Sequence, residues 1–245
     1  MIEACIAPDW AAPARVRALA TTRLGGASAG PWRSLNLGAH CGDEPAAVAE
    51  NRRRLAGGLP AEPLWLTQMH GDRVITHAEL RAGDAQADAV IASAPGEVCA
   101  VLTADCLPVL LAAADGSQVA AAHAGWRGLA AGVLEHTVRA MAAAPEGILA
   151  WLGPAIGPDH YQVGEEVRAA FLRNDPAAAA AFVADGERWL ADLYLLARQR
   201  LERAGVGHIS GGGWCTACDR DRFYSYRRDG QTGRMATLVW LAEDL

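Results

Sequence analysis

The chain has 245 residues, 51% of them hydrophobic, with a net charge of −6 and a pI near 5.6. This acidic balance argues against general nucleic-acid binding, which requires a basic face, and the apolar content predicts a substantial core rather than long disorder. All 22 basic residues are arginine, which excludes a Schiff-base lysine or a P-loop lysine. Arginine, backbone N–H groups or a metal must therefore hold any phosphate or carboxylate of a substrate.

The first residues, MIEACIAPDWAAP, carry an early acid and no basic segment before an apolar core. They are therefore not typical of a signal peptide. No apolar run approaches the roughly 18 residues that span a bilayer. We expect a cytoplasmic protein with no membrane partner, in which the six cysteines stay reduced. The cysteines are then candidates for ligands, nucleophiles or core residues rather than disulfides.

The N-terminal part of the chain predicts one strand and a long loop. Residues 15–22 alternate as a strand, and residues 23–38 are rich in Gly, Ser, Pro and Asn, which disfavour regular structure. The loop offers Arg23, Ser34 and Asn36 as polar groups near a strand end. A loop of this length is more often functional than not, although an ordinary solvated loop has the same composition.

A helix follows this loop. Asp43 and Pro45 indicate its N-terminus, and Gly57 with Gly58 ends it. The three adjacent arginines at 52–54 point in different directions on a helix. They cannot form one binding fork, and at least two of them are expected to be solvated.

Residues 64–68 and 73–78 have the composition of two strands joined by a tight turn at His70, with Gln68 just before it. A histidine at a turn is usually exposed and without a special role, and His77 has the position of a structural strand residue. Residues 85–93 and 98–102 predict two further strands, and Asp88 is placed to close a polar patch.

The central stretch, residues 98–128, combines two buried apolar segments with two reactive side chains. Cys106 lies within TADCLP, where Pro108 is expected to interrupt regular hydrogen bonding, and His123 ends the run QVAAAH. A thiol and an imidazole at the ends of buried strands suit either a Cys–His nucleophile pair or a metal site. Taken singly, Cys106 is more typical of a core cysteine and His123 of a hydrogen-bonded histidine, because free cysteine is among the most buried residue types.

The C-terminal half alternates helices and strands. Residues 129–143 predict one amphipathic helix, and residues 148–158 predict a buried strand that runs into glycines and prolines. Helices are expected at 163–174 and, most clearly, at 187–205, where Gly205 acts as the stop. The economical interpretation is a single mixed α/β domain over residues 1–245.

The C-terminal segment holds a denser polar set than a connecting loop needs. Cys215 and Cys218 form one CxxC pair, a weak metal or redox signal without a second pair or a thioredoxin-like context. Arg227, Arg228 and Arg234 follow within 20 residues of it, with Thr232 between them.

The ordered motifs TQMHG, TADCLPVLL, HAGWRG, LGPAIGP and FYSYRRDGQTGRMA resemble those of the laccase-domain purine nucleoside phosphorylase family, formerly classed as YfiH-like multicopper polyphenol oxidases. The loop at 23–38 and the helix after it are similar too, so the resemblance covers essentially the whole chain. It implies one α/β domain of layered mixed β-sheets flanked by helices, similar to cysteine-dependent toxin deamidases.

The resemblance also implies a zinc site made by His70, Cys106 and His123, which lie 36 and 17 residues apart in the chain. That spacing is not a recognisable metal pattern. The chemistry is coherent nonetheless, because two imidazoles and a thiolate suit zinc, and three protein ligands leave an open catalytic position. Copper would accept the same donors, but seven histidines, two of them in these motifs, do not support a multicopper centre.

The activity implied by the resemblance is phosphorolysis of adenosine, inosine and methylthioadenosine, with side activities in adenosine deamination and copper-dependent polyphenol oxidation. Cys106 and His123 would then be catalytic, and Asp105 would orient His123 or act as a general base. Further candidate residues are assigned to phosphate, ribose or the base edge: Arg23, Asn36, Gln68, Arg127 and Arg227.

Two other functions stay open at this point. A metal-free Cys–His hydrolase would use Cys106 as nucleophile and His123 as base on an amide, for example in a peptidoglycan precursor. A non-catalytic module would only bind a nucleotide or a partner protein. A monomer is favoured because no long exposed apolar helix is visible in the sequence.

Overall fold

The computed structural model describes residues 5–243. Residues 1–4, part of the segment predicted not to be a signal peptide, and residues 244–245 lie outside it. The described residues form twelve β-strands and seven α-helices. The strands are β1 Val16–Ala20, β2 Val74–Thr76, β3 Ala89–Ala92, β4 Val98–Thr103, β5 Leu107–Ala113, β6 Val119–Ala124, β7 Ile148–Leu152, β8 Gln162–Val163, β9 Phe182–Asp185, β10 Arg188–Ala191, β11 His208–Gly211 and β12 Met235–Leu241. The helices are α1 Pro45–Ala56, α2 His77–Arg81, α3 Trp126–Ala131, α4 Val133–Ala140, α5 Glu165–Leu172, α6 Leu193–Arg203 and α7 Tyr226–Asp229.

A six-stranded mixed sheet forms the centre of the molecule, with the strand order β11-β7-β5-β6-β3-β2. Its two outer pairs are parallel and its inner pairs antiparallel. Every residue of β5 and β6 is buried. A sheet covered on both faces requires continuous apolar runs rather than alternation, which explains the composition of the central stretch.

The two faces of this sheet are covered by different layers. Ala120 and Ala122 on β6 pack with the helices α3, α4 and α6, whereas Val119 and Ala121 pack against the antiparallel sheet β1-β12-β4. His123 shares the face of the second set because side chains alternate along a strand. The third sheet of the described residues is small and antiparallel, with the strand order β8-β10-β9. The predicted fold class, one mixed α/β domain with layered sheets and flanking helices, is confirmed.

The predicted hairpin over residues 64–78 is wrong. Residues 64–68 form no strand, and Thr67 makes only an isolated bridge to Gln86. The second predicted strand is present as β2, but it pairs in parallel with β3. His77 begins α2 rather than continuing a strand, because Thr76 and Glu79 form a reciprocal capping box. This local hydrogen bonding outweighs the strand-like composition.

Two predicted helices have different limits. The helix over 129–143 is divided into α3 and α4 by Gly132, whose φ of 104° no continuous helix accepts. The helix over 187–205 begins only at Leu193, where Asp192 accepts the N–H of Leu195 as an N-cap. The residues expected to form the first turn of this helix, 188–191, form the strand β10 instead. Pro108 also lies within β5, paired with His123, and does not interrupt the ladder.

The helices of the described chain are short relative to a bilayer. None of those formed by residues 5–243 combines the length and the apolar character that crossing a membrane requires.

Candidate metal centre

Three residues from separate segments converge at one end of the central sheet. His70 lies in the turn before β2, Cys106 in the turn between β4 and β5, and His123 in β6. Their ligand atoms all lie within 4.8 Å of one another, and the two imidazole centroids are 4.8 Å apart. The antiparallel pairing of β5 with β6 sets Cys106 beside His123. The structure thus brings together the three residues predicted as metal ligands.

The space among these donors is kept open by Gly125. A Cβ atom at this position would lie 3.0 Å from Cys106 Sγ, 3.0 Å from His70 Nδ1 and 3.6 Å from His123 Cε1. One thiolate and two imidazoles match a borderline-soft ion such as zinc, and three protein ligands leave a position for water or substrate. The donor set and the cradle around it therefore fit a catalytic metal ion.

A single buried carboxylate, that of Asp88, positions two of the three donors. It accepts backbone N–H bonds from Met69, His70 and Gly71 at 3.1, 2.9 and 2.7 Å. These bonds hold the turn in which His70 adopts a φ of 58°, a conformation that is unfavourable without support. Asp88 Oδ1 also lies 2.8 Å from His123 Nδ1, which leaves the other ring nitrogen available for a metal.

The surroundings of Asp88 favour its charged carboxylate form. Its burial would raise its pKa, but hydrogen bonds from His123 and from the backbone of Gly71 outweigh burial and hold the pKa below its usual value. The residue therefore remains a carboxylate that orients His123. From the sequence, Asp88 was expected only to close a polar patch.

The orienting role predicted for Asp105 is wrong. Its backbone has a φ of 91°, and its carboxylate faces the C-terminal loop rather than His123. There it accepts the hydroxyl of Thr216 at 2.6 Å and the N–H of Arg227 at 2.6 Å. Asp105 thus anchors that loop to the turn that carries Cys106. Its role as a general base stays a prediction.

Cys106 and His123 shift each other's protonation. Burial raises the pKa of the Cys106 thiol, but the imidazoles of His123 and His70 outweigh it and bring the pKa below the ordinary value. Burial lowers the pKa of His123, but the Cys106 thiolate and Asp88 raise it above the ordinary value. Both shifts favour the thiolate, the form that binds metals and attacks electrophiles.

The three donors face a cavity of about 840 Å³. Its wall includes two arginines and two aromatic rings beyond the predicted residues. Arg52 stacks on Trp65 with 4.5 Å between the guanidinium carbon and the ring, and Arg234 lies 6.0 Å from the ring of Tyr226. His40 lines the same cavity, and burial together with Arg234 and Arg52 lowers its pKa, so it is neutral at pH 7. The positive charge of the wall therefore comes from the arginines.

Among the predicted substrate residues, Gln68 belongs to the cavity wall, whereas Arg127 and Arg227 are not among its lining residues. The amide of Gln68 is paired with the backbone N–H and C=O of Leu102. Arg127 stacks on Trp126, and Arg227 lies over Tyr161. Burial and the nearby Cys106 raise the pKa of Tyr161, while the positive charges of Arg227 and Arg127 oppose the rise.

Two predicted substrate residues lie elsewhere. Asn36 is fully buried and hydrogen-bonded to Gly38 and Asp43, so it shapes the N-terminal loop instead of meeting a ligand. Arg23 borders a second cavity of about 820 Å³ and donates to the carbonyls of Arg33 and Arg220. Its guanidinium is used to join two loops.

Some of the cavity-wall residues that were not predicted stood out in the sequence for other reasons, and others did not stand out at all. Arg234 belonged to the dense polar set of the C-terminal segment. Arg52 was one of three adjacent arginines, and the structure confirms that at least two, Arg53 and Arg54, are solvated beside Glu50. No spacing marked His40, Trp65 or Tyr226, because they come from separate segments.

The chain matches the family described as multi-copper polyphenol oxidoreductase laccase over residues 17–242. It is 56% identical over 238 residues to the purine nucleoside phosphorylase YfiH of Escherichia coli, covering 96% of this chain and 98% of that one. A purine nucleoside phosphorylase of Pseudomonas aeruginosa is 53% identical over 244 residues, covering 99% and 100%. The chain belongs to this family.

Solved structures agree with this family assignment. The crystal structure of a Neisseria meningitidis protein superposes with a TM-score of 0.95 at 50% identity, covering 98% of this chain and 100% of that one. The crystal structure of YlmD from Geobacillus stearothermophilus gives 0.85 at 35% identity, with 94% and 93% covered. The resemblance drawn from the ordered motifs is therefore confirmed.

Proposed function

We propose that the chain is a cytoplasmic, zinc-dependent purine nucleoside phosphorylase that acts on adenosine, inosine and methylthioadenosine. The observation that carries the proposal is the convergence of His70, Cys106 and His123 on a cavity whose wall holds Arg52 and Arg234. The Escherichia coli and Pseudomonas aeruginosa relatives are named purine nucleoside phosphorylases, which supports the same activity.

The reaction requires a phosphate oxygen to bond to the anomeric carbon of the ribose while the bond from that carbon to the purine nitrogen breaks. The electron pair of that bond stays on the purine nitrogen, which takes a proton from the phosphate or from water. The products are the free purine and ribose 1-phosphate, or 5-methylthioribose 1-phosphate when the substrate is methylthioadenosine.

Arg52 donates Nε–H and Nη2–H to the carbonyl of Leu37, and Arg234 donates Nη1–H to the carbonyls of Thr232 and Gly233. Both line the cavity and keep N–H donors on their other nitrogens, so they are our candidates for the phosphate. Trp65 and Tyr226 offer aromatic faces for the purine.

The remaining roles belong to residues around the donors. A zinc ion held by His70, Cys106 and His123 would supply a Lewis acid at this point. Asp88 keeps His123 oriented throughout, and Arg127 and Arg227, on the side of Tyr161, are our candidates for the ribose hydroxyls or a second phosphate contact.

The experiment is to purify the protein without added metal and to measure adenine release from adenosine with and without phosphate. We expect phosphate-dependent release, and in His70→Ala the loss of this release together with the zinc ion of this centre. The exposed His208 provides a matched control, since His208→Ala removes an imidazole outside the cavity. Phosphate-independent release, or full activity in His70→Ala, would refute the proposal.

A second candidate function is favoured by Cys106, His123 and Asp88, which have the make-up of a Cys–His–Asp hydrolytic triad. The lowered pKa of Cys106 suits a nucleophile. Covalent capture of Cys106 by an amide-derived electrophile, with no phosphorolysis, would select this function and its amide substrates. Absence of turnover with either substrate class would instead select the non-catalytic binding module.

The side activities separate in the same assay. Adenosine deamination would give inosine without phosphate, and polyphenol oxidation would require added copper. We propose both as minor activities of the same centre, and we propose a monomer, which sedimentation would test.

A further inference from the structure

A second group of soft donors lies on the loops that follow β7 and β11. His160, Cys215 and Cys218 place their ligand atoms within 4.8 Å of one another. The sulfurs of Cys218 and Cys215 lie 3.5 and 4.0 Å from His160 Nδ1. His160 precedes Cys215 by 55 positions and Cys218 by 58 positions in the chain. The fold therefore brings the histidine to the CxxC pair.

The backbone of both loops is arranged around the sulfur of Cys215. This sulfur accepts the N–H of Cys218 at 3.3 Å and the N–H of Gly157 at 3.4 Å. These two bonds fix the position of the Cys215 sulfur between the two loops. A Cβ atom at Gly157 would lie 3.2 Å from the same sulfur, so glycine permits the close approach.

The loop that holds this cluster also supports the first centre. Between the two cysteines, Thr216 donates its hydroxyl to Asp105 at 2.6 Å and its N–H to the carbonyl of Ala155 at 3.0 Å. Asp105 directly precedes Cys106. A bond between the two loops would therefore restrain the turn that presents Cys106.

We propose that His160, Cys215 and Cys218 bind a second zinc ion that ties the loop after β7 to the loop after β11. Two thiolates and one imidazole form a set that zinc prefers, and water completes its four-coordinate shell. Hard ions such as Mg²⁺ and Ca²⁺ select oxygen donors instead. The proposal does not depend on the reaction that the first centre performs.

The first test is the zinc content of the full-length protein purified under reducing conditions without chelator. We expect about two zinc ions per chain in the wild type and about one in His160→Ala or Cys218→Ser. Cys106→Ser should also retain about one, and its combination with Cys218→Ser close to none. His208→Ala and Cys5→Ser, outside both clusters, should retain the wild-type content.

Cobalt substitution identifies the ligands. The first centre offers one thiolate and the second offers two, so His160→Ala should remove about two thirds of the sulfur-to-cobalt absorbance and Cys106→Ser about one third. His160 is exposed, so this variant should keep its fold, which circular dichroism checks. An unchanged zinc content in His160→Ala would overturn the proposal. So would a Cys215–Cys218 disulfide, detected by mass after alkylation of the freshly purified protein.

Discussion

The two His/Cys clusters contain the same kinds of atoms and differ in what surrounds them. His70, Cys106 and His123 face a large cavity and are oriented by the buried carboxylate of Asp88. The second cluster lies on two surface loops, and backbone N–H groups support its sulfur. Three protein ligands would leave one position for water at either centre. At the first centre that position faces the cavity and is open to substrate, whereas an ion at the second centre would lie between two surface loops and tie them together. The residues around each cluster, more than the donor atoms themselves, therefore distinguish the proposed catalytic centre from the proposed structural one.

The largest expected effect tests whether only the first cluster is catalytic. Cys106→Ala should lower kcat/KM for phosphate-dependent adenosine cleavage by at least about 100-fold, because loss of a ligand should exceed the effect of losing an outer partner. Cys215→Ala, the matched change in the second cluster, should stay within about threefold of wild type. Steady-state kinetics at saturating phosphate measure both. A comparable loss in the two variants would erase the distinction.

The outer partner of His123 comes next. Asp88→Asn should weaken zinc binding at the first centre by about 10- to 100-fold, because it removes the charge that orients the imidazole. Asp72 offers a matched control, since it pairs with His136 at 3.2 Å on the surface. Competition with a chelator measures the affinity, and Asp72→Asn should leave it unchanged. Equal affinities in the two variants would contradict the role of Asp88.

Two glycines sharpen the comparison further. Gly125→Ala should reduce zinc binding at the first centre by about tenfold, because its Cβ would enter the space among the donors. Gly157→Ala should act on the second cluster alone, where the Cβ would press on Cys215. In Gly207→Ala the new Cβ meets nothing within 4 Å, and it should keep both ions. Zinc content after dialysis shows which centre each variant loses; a loss at the opposite centre would disprove the assignment.

The last prediction concerns stability rather than zinc binding or catalysis, and it tests the link between the two regions. Thr216→Val removes the hydroxyl that Asp105 accepts, and should lower the free energy of unfolding by about 1.5–3 kcal/mol, as expected for a buried hydrogen bond to a charged group. Thr232→Val is the control, because in the described chain the buried Thr232 hydroxyl has no hydrogen-bond partner. Urea unfolding compares them. If Thr216→Val is no less stable than Thr232→Val, the link contributes nothing.

The layers of the fold were predictable because buried strands have long apolar runs, as in β4, β5 and β6. The residues at which helices and strands begin and end were harder to predict. The segment at 188–191 has helical periodicity but pairs with β9, and the capping box at Thr76 turns strand-like residues into a helix. In each case a partner distant in sequence or a specific side-chain bond decided between two local options.

The centre itself was only partly visible in the sequence. His70, Cys106 and His123 were named through the resemblance, because their spacing carries no metal pattern. Asp88 and Arg234 drew attention only as polar residues, since sheet pairing and loop packing bring them to the site. For the second cluster the CxxC pair was visible, but His160 was not, because the fold alone places it there.

The pairing of β3 with β6 has a consequence for the order of folding events. Asp88 immediately precedes β3, and its carbonyl accepts the N–H of His123 at 2.7 Å. A slip of one residue between these strands would turn His123 to the opposite face of the sheet. We therefore expect an ion to bind the first centre only after the sheet has its register, that is, after the transition state of folding. Zinc should slow unfolding while refolding proceeds at the same rate with or without it.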